Sequence, residues 1–228
     1  MAILKEVPLA TQGQKPDHGI TLYYVYDALC GWCYGFSPVM RRVQDRFAGA
    51  DVKIEVISGG MILGERAQPI GTMADYILQA LPRLESMTGV AMGEAYKEVL
   101  REGTRVYDSL LPSRALSAWK NQFPERQLEY ASAMQKAIFV DAEPVNEPEL
   151  YPQLAAQLGG DAHALEQELN SEHNKYNTQT EFQFTQELGI SGFPALIGLK
   201  EGKFYMLARG FTPFATLAET LQSFTGAD

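Results

Sequence analysis

The chain has 228 residues, of which 46% are hydrophobic and 21% charged, a composition typical of a globular domain with a sizeable core. Its 28 acidic residues outnumber its 19 basic residues, so the formal net charge is −9. Because no cluster of Lys and Arg reverses this charge locally, the sequence argues against partners with a phosphate backbone, such as nucleic acid, and against anionic membrane surfaces.

The sequence also bears on the compartment of the protein. No apolar run reaches the length of a transmembrane helix. The first nineteen residues, MAILKEVPLATQGQKPDHG, lack the apolar stretch and basic start of a secretory signal peptide. We therefore expect a cytoplasmic protein. In that compartment thiols are held reduced, and disulfides are usually transient and catalytic.

The first predicted elements form a βαβ unit. Residues 20–26, ITLYYVY, are β-branched and aromatic, which favours a buried strand. Apolar residues then recur at helical spacing from Cys33 to Phe47, and Gly49 follows as an end signal. Residues 51–58, DVKIEVIS, alternate between apolar and polar and predict a second strand. A strand, a helix and a strand in about forty residues indicate parallel strands with a right-handed crossover.

The next segment, from about residue 61 to 188, has a helical pattern punctuated by prolines. Asp161 is predicted to cap the last helix of this segment. The predicted helices cover residues 72–86, 91–102, 113–121, 124–139, 147–158 and 161–188.

Strand patterns return only near the end of the chain. PALIGLK (194–200) and KFYMLAR (203–209) flank the dipeptide Glu-Gly, which predicts an antiparallel hairpin. An amphipathic helix then closes the chain, with Thr212 as its expected N-cap and Pro213 at its first position.

This order of elements is β-α-β, a helical block, then β-β-α. It predicts an α/β protein with a thioredoxin fold and an inserted helical subdomain. The expected core comprises residues 20–62 and 189–228, and the expected insertion comprises residues 63–188. Residues 1–19 remain as an N-terminal arm that packs on the body of the protein or on a second subunit, the latter giving a homodimer.

The only two cysteines, Cys30 and Cys33, lie in the stretch DALCGWCYGF (27–36), where the first strand gives way to the helix. Free backbone N–H groups and the helix dipole stabilise an anion at such a position by roughly 0.3 to 2 kcal/mol. We therefore expect the Cys30 thiolate to act as the nucleophile and Cys33, one turn deeper, to act as the resolving thiol. A disulfide that closes so small a ring contributes little chain entropy, which argues against a structural staple.

Two other interpretations of the cysteines compete with redox chemistry. Cysteines are often packed in the core, but placing both thiols of a chain at one strand–helix junction argues against mere packing. A metal site needs about two further nitrogen or sulfur ligands. His18, His163 and His173 show no ligand spacing to the cysteines, so we predict no bound metal, and only a site shared across a dimer would revive that interpretation.

A second candidate element is the stretch GISGFPALIG (189–198), which places Phe193 and Pro194 at the start of a predicted strand. The residues alone allow either a trans proline that opens an edge strand or a cis bond in a loop facing Cys30. Generic odds of a cis X–Pro bond are only about 5–6%.

Taken together, YDALCGWCYGF and GISGFPALI resemble the DsbA-like thioredoxin superfamily. They are most similar to its branch of predicted cytoplasmic protein-disulfide isomerases with a C-x-W-C active site. The resemblance implies that Cys30 is the nucleophile, that Cys33 resolves, and that Pro194 is cis. It also implies that Phe193 and Pro194 present backbone to an incoming peptide or small thiol.

The chain departs from better-known members of that superfamily in two ways. The dipeptide Gly31-Trp32 lacks the histidine of periplasmic DsbA, so we expect a weaker oxidant. Phe193 is bulkier than the residue that usually precedes the proline, and we expect it to narrow the peptide groove.

Three residues that flank the cysteines are further candidates. Asp27 could accept a proton from Cys33, or it could be a turn or capping residue. Trp32 and Tyr34 flank the redox centre; for Trp32 we favour an apolar docking surface over packing, and for Tyr34 we favour the core.

The function that we expect is that of a thiol–disulfide oxidoreductase, an enzyme that reduces or isomerises protein or small-molecule disulfides. It would bind no cofactor permanently and would use glutathione or a thioredoxin-type system as reductant. One alternative is a glutathione-dependent transferase or isomerase of the kappa or hydroxychromene-carboxylate type, relatives that usually carry serine where Cys30 stands. Another is a non-enzymatic binding module that senses oxidation.

Overall fold

The structure is a computed structural model that describes residues 2–5 and 19–226 of the chain. Its strands are β1 (Ala2–Lys5), β2 (Ile20–Tyr26), β3 (Val52–Ser58), β4 (Ala195–Lys200) and β5 (Lys203–Arg209). Its α-helices are α1 (Gly31–Arg46), α2 (Ala74–Thr88), α3 (Glu94–Glu102), α4 (Leu110–Gln122), α5 (Gln127–Phe139), α6 (Leu150–Gln157), α7 (Ala162–Leu169), α8 (Glu172–Glu187) and α9 (Phe214–Thr225).

The strands form one mixed sheet in the order β1-β5-β4-β2-β3. β2 and β3 are parallel and joined through α1, whereas β2–β4, β4–β5 and β1–β5 are antiparallel. The predicted thioredoxin fold with a helical insertion is therefore confirmed.

The sheet has one strand more than the four predicted, because residues 2–5 of the expected N-terminal arm pair with the edge of β5. The rest of that arm, residues 1 and 6–18, lies outside the described residues, as do residues 227 and 228. The homodimer that the arm would support stays a prediction.

The central strand β2 is buried along its whole length. Leu22, Tyr24 and Tyr26 point to the face that α1 covers, where they join the larger hydrophobic core. Tyr23 and Val25 point to the opposite face and pack in a second, smaller core. A strand buried on both faces needs a continuous run of apolar and aromatic residues, which explains why ITLYYVY shows no polar alternation.

The predicted hairpin turn between β4 and β5 has the expected local geometry. Glu201 and Gly202 both have positive φ angles, 52° and 74° respectively. A two-residue turn with φ > 0 at both positions matches the right-handed twist of the strands that it joins.

The outer edge of β3 is covered by side chains of the helical segment. The Val56 N–H donates to Oε1 of Gln127 at 2.9 Å, and the Ser58 N–H donates to Oε2 of Glu181 at 2.7 Å. Glu181 also accepts a hydrogen bond from the ammonium group of Lys120. An edge strand with free N–H groups is prone to pair with another chain, and these side chains occupy two of those groups.

Two details of the predicted helices are wrong. The single helix expected over 161–188 is two helices, since α7 ends at Leu169 and the hydroxyl of Ser171 caps α8 by accepting from the Asn174 N–H at 3.0 Å. Asn and Ser offer local hydrogen bonds that compete with a helix interior. The Asp161 cap is correct.

The second error concerns the start of the last helix. Pro213, not Thr212, is the N-cap of α9. The Thr212 hydroxyl instead points to the Gly210 carbonyl, at 3.5 Å.

Removing the charge of Glu181 should destabilise the fold. In Glu181→Gln the amide oxygen can still accept from Ser58, but the Lys120 ammonium loses its anionic partner where only 16% of its side chain is exposed. We expect the free energy of unfolding to fall by about 1–3 kcal/mol, measured by urea denaturation. Glu187→Gln, at the exposed end of the same helix, is the matched control, and equal effects of both variants would contradict the expectation.

Candidate active site

The strand-to-helix junction places Cys30 at the N-cap of α1. Its backbone is extended (φ −90°, ψ 111°), and its carbonyl accepts hydrogen bonds from the N–H groups of Cys33 at 3.0 Å and Tyr34 at 3.1 Å. Its own N–H donates to the Asp27 carbonyl at 3.1 Å, which closes the turn after β2. The first backbone N–H groups of a helix have no intrahelical partner, so the Cys30 side chain lies where a negative charge is favoured.

The two thiols differ in their exposure to solvent. Both cysteines are free, and Cys33 is completely buried, whereas 6% of Cys30 is exposed. Burial raises the pKa of the Cys33 thiol well above its usual range, and the hydrogen bond and charge of Cys30 raise it further. Cys33 is therefore a protonated thiol at neutral pH, in contact with a neighbour that is nearer to solvent.

The loop before β4 faces Cys30. The Phe193–Pro194 peptide bond is cis, and the Cys30 thiol donates to the Phe193 carbonyl with an Sγ–O distance of 3.6 Å. The Pro194 carbonyl accepts from the Gly210 N–H at 2.7 Å, which ties this loop to the end of β5. Residues 163 positions apart in sequence thus meet at one sulfur atom.

The Phe193 side chain is held against the end of β3. Its ring is partly buried and packs on the backbone of Gly59, so closely that a Cβ at position 59 would overlap with the ring. A glycine at 59 is therefore required for this position of the ring. The narrowing of the peptide groove by Phe193 stays a prediction.

Asp27 is a buried carboxylate in the turn before Cys30. Its Oδ1 accepts from the Leu29 N–H and from the Ser109 hydroxyl, both at 2.9 Å, and its Oδ2 accepts from the Met61 N–H at 2.7 Å. Burial raises its pKa, and these three hydrogen bonds oppose the increase. Asp27 thus supports the turn and also joins it to the helical segment, while its role as a proton acceptor for Cys33 stays a prediction.

The dipeptide between the cysteines is closely packed on one side. A Cβ at Gly31 would lie 3.2 Å from Cδ1 of Leu84 and 3.3 Å from Cε of Met92. Trp32 is partly buried, and its ring centroid is 6.5 Å from that of Phe211.

Tyr34, after the second cysteine, is also partly buried. Its ring stacks on Phe139 at a centroid distance of 5.4 Å. Trp32 and Tyr34 therefore both have defined packing partners.

The sequence did not reveal the partners of Asp27. Ser109 stands directly before α4, where a serine usually signals an N-cap, but its hydroxyl donates to Asp27 instead. Gln135, buried in the middle of α5, donates from Nε2 to the Asp27 carbonyl at 3.3 Å. No local pattern marks either residue, because both contacts depend on how the helical segment folds over the sheet.

In the part of the chain that the structure describes, no three His, Cys, Asp or Glu side chains come together as a metal site would require. None of its helices combines the length and the apolar character that crossing a bilayer demands.

A family model described as the DSBA-like thioredoxin domain matches residues 21–222. The chain belongs to this family. Among solved structures, this DSBA-like domain is similar to the cytosolic disulfide reductase DsbM from Pseudomonas aeruginosa, with 27% identity, a TM-score of 0.76, and coverage of 91% of this chain and 100% of DsbM. A structure of DsbM with GSH (glutathione) matches with 26% identity, a TM-score of 0.73, and coverage of 90% and 99%.

Two more distant relatives were also found for the DSBA-like domain. The ClpXP adapter protein SpxH of Halalkalibacterium halodurans is 22% identical over 191 residues, which cover 82% of this chain but only 60% of SpxH. A 2-hydroxychromene-2-carboxylate isomerase shares the fold, with a TM-score of 0.61 at 15% identity over 90% of this chain and 94% of that one.

Adding one methyl group at Gly59 should disturb the cysteine site of this DSBA-like domain. Gly59→Ala would push the Phe193 ring away and move the carbonyl that faces Cys30. We expect the rate at which the reduced protein reacts with 2-hydroxyethyl disulfide to fall on the order of 10- to 100-fold, the usual cost of misplacing a reacting group by about 1 Å. Gly192→Ala, in the loop that carries Phe193 but with no heavy atom within 4 Å of the added Cβ, should react like wild type; a rate loss shared by both variants would disprove this explanation.

The buried Asp27 should make stability depend on pH. Because its pKa is raised in the folded state, folding favours the protonated form. Its contribution to stability is complete below the unfolded pKa of about 4 and is lost as the pH rises through the folded pKa. The free energy of unfolding of wild type relative to Asp27→Asn should therefore decrease as the pH rises from about 4.

Urea unfolding over a pH series measures this difference. Asp45→Asn, an exposed change on α1, is the control and should show no such trend. A difference between wild type and Asp27→Asn that is constant or grows with pH would contradict the expectation.

Proposed function

We propose that this protein is a thiol–disulfide oxidoreductase that reduces or isomerises disulfides, with Cys30 as the attacking thiol and Cys33 as the resolving thiol. One observation carries the proposal. The Cys30 sulfur is at the N-terminus of α1 and 3.6 Å from the Phe193 carbonyl, whereas the Cys33 sulfur is fully buried one turn deeper.

The reaction proceeds by two exchanges. The Cys30 thiolate attacks one sulfur of a substrate disulfide, forms a mixed disulfide, and releases the other sulfur as a thiolate. Cys33 then loses its proton and attacks the Cys30 sulfur, which releases the second substrate thiolate. The substrate has gained two electrons, and the protein holds a Cys30–Cys33 disulfide. In an isomerisation, a thiol of the substrate attacks the mixed disulfide instead, and the Cys30 thiolate is regenerated.

The difference between the two thiols supports this order of events. Cys33 has a raised pKa, so it remains protonated and does not compete with Cys30 for the incoming disulfide. Once Cys30 is bonded to substrate, its negative charge is gone, and with it one of the causes that raise the pKa of Cys33. Formation of the mixed disulfide therefore makes the second attack easier.

The backbone next to Pro194 is suited to hold the substrate during these steps. The Phe193 carbonyl faces the Cys30 sulfur, so a chain bonded to that sulfur passes directly along Phe193 and Pro194. Residues 193 and 194 would contact the atoms on either side of the substrate cysteine. Trp32, which packs against Phe211, would provide apolar contact.

We place the protein in the cytoplasm, with glutathione or a thioredoxin-type protein as its reductant. Support comes from the similarity to a cytosolic disulfide reductase that has also been solved with glutathione. Two glutathione molecules would reduce the Cys30–Cys33 disulfide and leave as oxidised glutathione. The Gly31-Trp32 dipeptide has no histidine to stabilise a thiolate, which agrees with a reductant rather than a strong oxidant.

The two cysteine variants should behave differently. Cys33→Ser leaves the nucleophile but removes the resolving thiol, so it should accumulate a mixed disulfide with the substrate. Cys30→Ser removes the nucleophile, and the buried Cys33 should form no adduct. Mass spectrometry after incubation with a disulfide-containing peptide distinguishes the two. Equal behaviour of the variants would disprove the assignment of roles.

Turnover completes the test. Wild type with glutathione should reduce many equivalents of insulin disulfide, as an enzyme does. A single equivalent would identify a sensor that reacts once.

A further inference from the structure

The hydroxyl of Tyr24, in the central strand β2, contacts the second cysteine. It donates to the Cys33 carbonyl at 3.2 Å, and both residues are buried. The carbonyl oxygen and the sulfur of a cysteine are each two bonds from its Cα, so a hydroxyl that touches the first can turn its hydrogen toward the second. Hydroxyl hydrogens rotate to suit their acceptors. Tyr24 therefore has a donor next to the thiol that resolves the mixed disulfide.

Tyr24 is held in place from two sides. Its backbone is paired on both edges, opposite Val56 of β3 and Leu196 of β4. Its ring packs against Phe36 of α1, with centroids 5.9 Å apart, and Phe36 lies three residues after Cys33 in the same helix. The hydroxyl is thus fixed relative to Cys33 by the sheet and by the helix. A donor that is already in position costs no reorganisation when charge develops beside it.

The resolving step creates a charge that needs such a donor. Cys33 must lose its proton before its sulfur can attack, and it is completely buried. An anion in the interior is costly unless hydrogen bonds replace water. The nearby Asp27 charge makes the Cys33 thiolate still less favourable, while a hydrogen bond to the Asp27 backbone favours it. A further neutral donor at the Cys33 sulfur would lower the barrier to this step.

Tyr24 can donate a hydrogen bond but does not act as a base. Burial raises its pKa well above the usual range, and the charges of Cys33 and Cys30 and a hydrogen bond to the Cys33 side chain raise it further. A bond that raises the pKa of a phenol is one that the phenol donates. Tyr24 therefore keeps its proton at neutral pH, and its effect on Cys33 is that of a donor.

We infer that the Tyr24 hydroxyl, which rests on the Cys33 carbonyl in the free enzyme, donates to the Cys33 sulfur as this becomes a thiolate, and so accelerates the second exchange specifically. This inference rests on the proposed function. In that exchange a bond forms between the two cysteine sulfurs, and the bond between Cys30 and the substrate sulfur breaks. The electron pair of the broken bond leaves with the substrate sulfur, which takes up the proton that Cys33 has lost.

Tyr26 offers a matched control for this role. It follows Tyr24 on the same face of β2, is equally buried, and has its ring centroid 5.6 Å from that of Tyr24. Its hydroxyl, however, has no hydrogen-bond partner. Tyr26→Phe therefore removes a phenol oxygen from the same part of the core without removing a hydrogen bond, whereas Tyr24→Phe removes the donor and keeps the ring.

Mass spectrometry after acid quenching separates the two exchanges. Reduced protein is mixed with an excess of glutathione disulfide, and the mixed disulfide and the Cys30–Cys33 disulfide are quantified over time. In Tyr24→Phe we expect the second exchange to slow by about 10- to 100-fold, the cost of one lost hydrogen bond to a charged group, so that the mixed disulfide accumulates. Tyr26→Phe should resolve at the wild-type rate.

Two further measurements distinguish this role from a structural one. In the Cys33→Ser background, adding Tyr24→Phe should leave the rate of mixed-disulfide formation unchanged, because the first exchange uses Cys30 alone. The equilibrium constant of the cysteine pair with glutathione should also keep its wild-type value in Tyr24→Phe, since Cys33 is uncharged in both end states. A hydroxyl that merely places Cys33 would change this constant, because the disulfide would then form with altered geometry.

The possible failures are distinguishable. A second exchange at the wild-type rate in Tyr24→Phe, a slowing shared by Tyr26→Phe, or a changed equilibrium constant would each overturn the role of Tyr24 and leave the oxidoreductase intact. If Cys33→Ser forms no mixed disulfide, the proposed function fails, and the role of Tyr24 fails with it.

Discussion

The arrangement of this protein depends on the buried carboxylate of Asp27. A charge in the interior is tolerated only when hydrogen bonds replace water, and Asp27 obtains them from the cysteine loop at Leu29, from the loop after β3 at Met61, and from Ser109 before α4. Three segments that are remote in sequence must therefore converge on one side chain. The backbone carbonyl of Asp27 accepts two further hydrogen bonds, one from the Gln135 side chain of α5 and one from the Cys30 N–H.

This convergence determines the surroundings of the two sulfur atoms. Cys30 is held at the end of α1, where backbone N–H groups lack partners, while Cys33 is enclosed by the core. Burial is the largest cause of the high pKa of Cys33; the Asp27 charge adds to it, and a hydrogen bond to the Asp27 backbone opposes it. A single helical turn thus separates a thiol near solvent from one that stays protonated, and this asymmetry underlies the directional exchange that we propose.

Much of the fold could be predicted because its signals are local. A few adjacent residues are enough to predict the buried strand ITLYYVY, the Glu201-Gly202 turn and the Asp161 cap. The two cysteines, as the only ones in the chain, likewise indicate the candidate site just after β2. The errors arose where local signals compete, as at Ser171 and Thr212. The contacts of Ser109, Gln135 and Gly59 could not be predicted, because each depends on the three-dimensional path of the helical segment and none has a characteristic neighbour in sequence.

The helical side chains that cover the outer edge of β3 matter for the evolution and engineering of this architecture. Gln127 and Glu181 come from two helices of the insertion, yet they occupy backbone groups that belong to the thioredoxin core. The insertion therefore serves as the missing neighbour of an outermost strand, in addition to covering the cysteines. Excising the insertion to obtain a minimal thioredoxin would leave the N–H groups of Val56 and Ser58 unpaired at an exposed strand, ready to pair with another chain. The two parts are therefore interdependent and cannot be exchanged as separate modules.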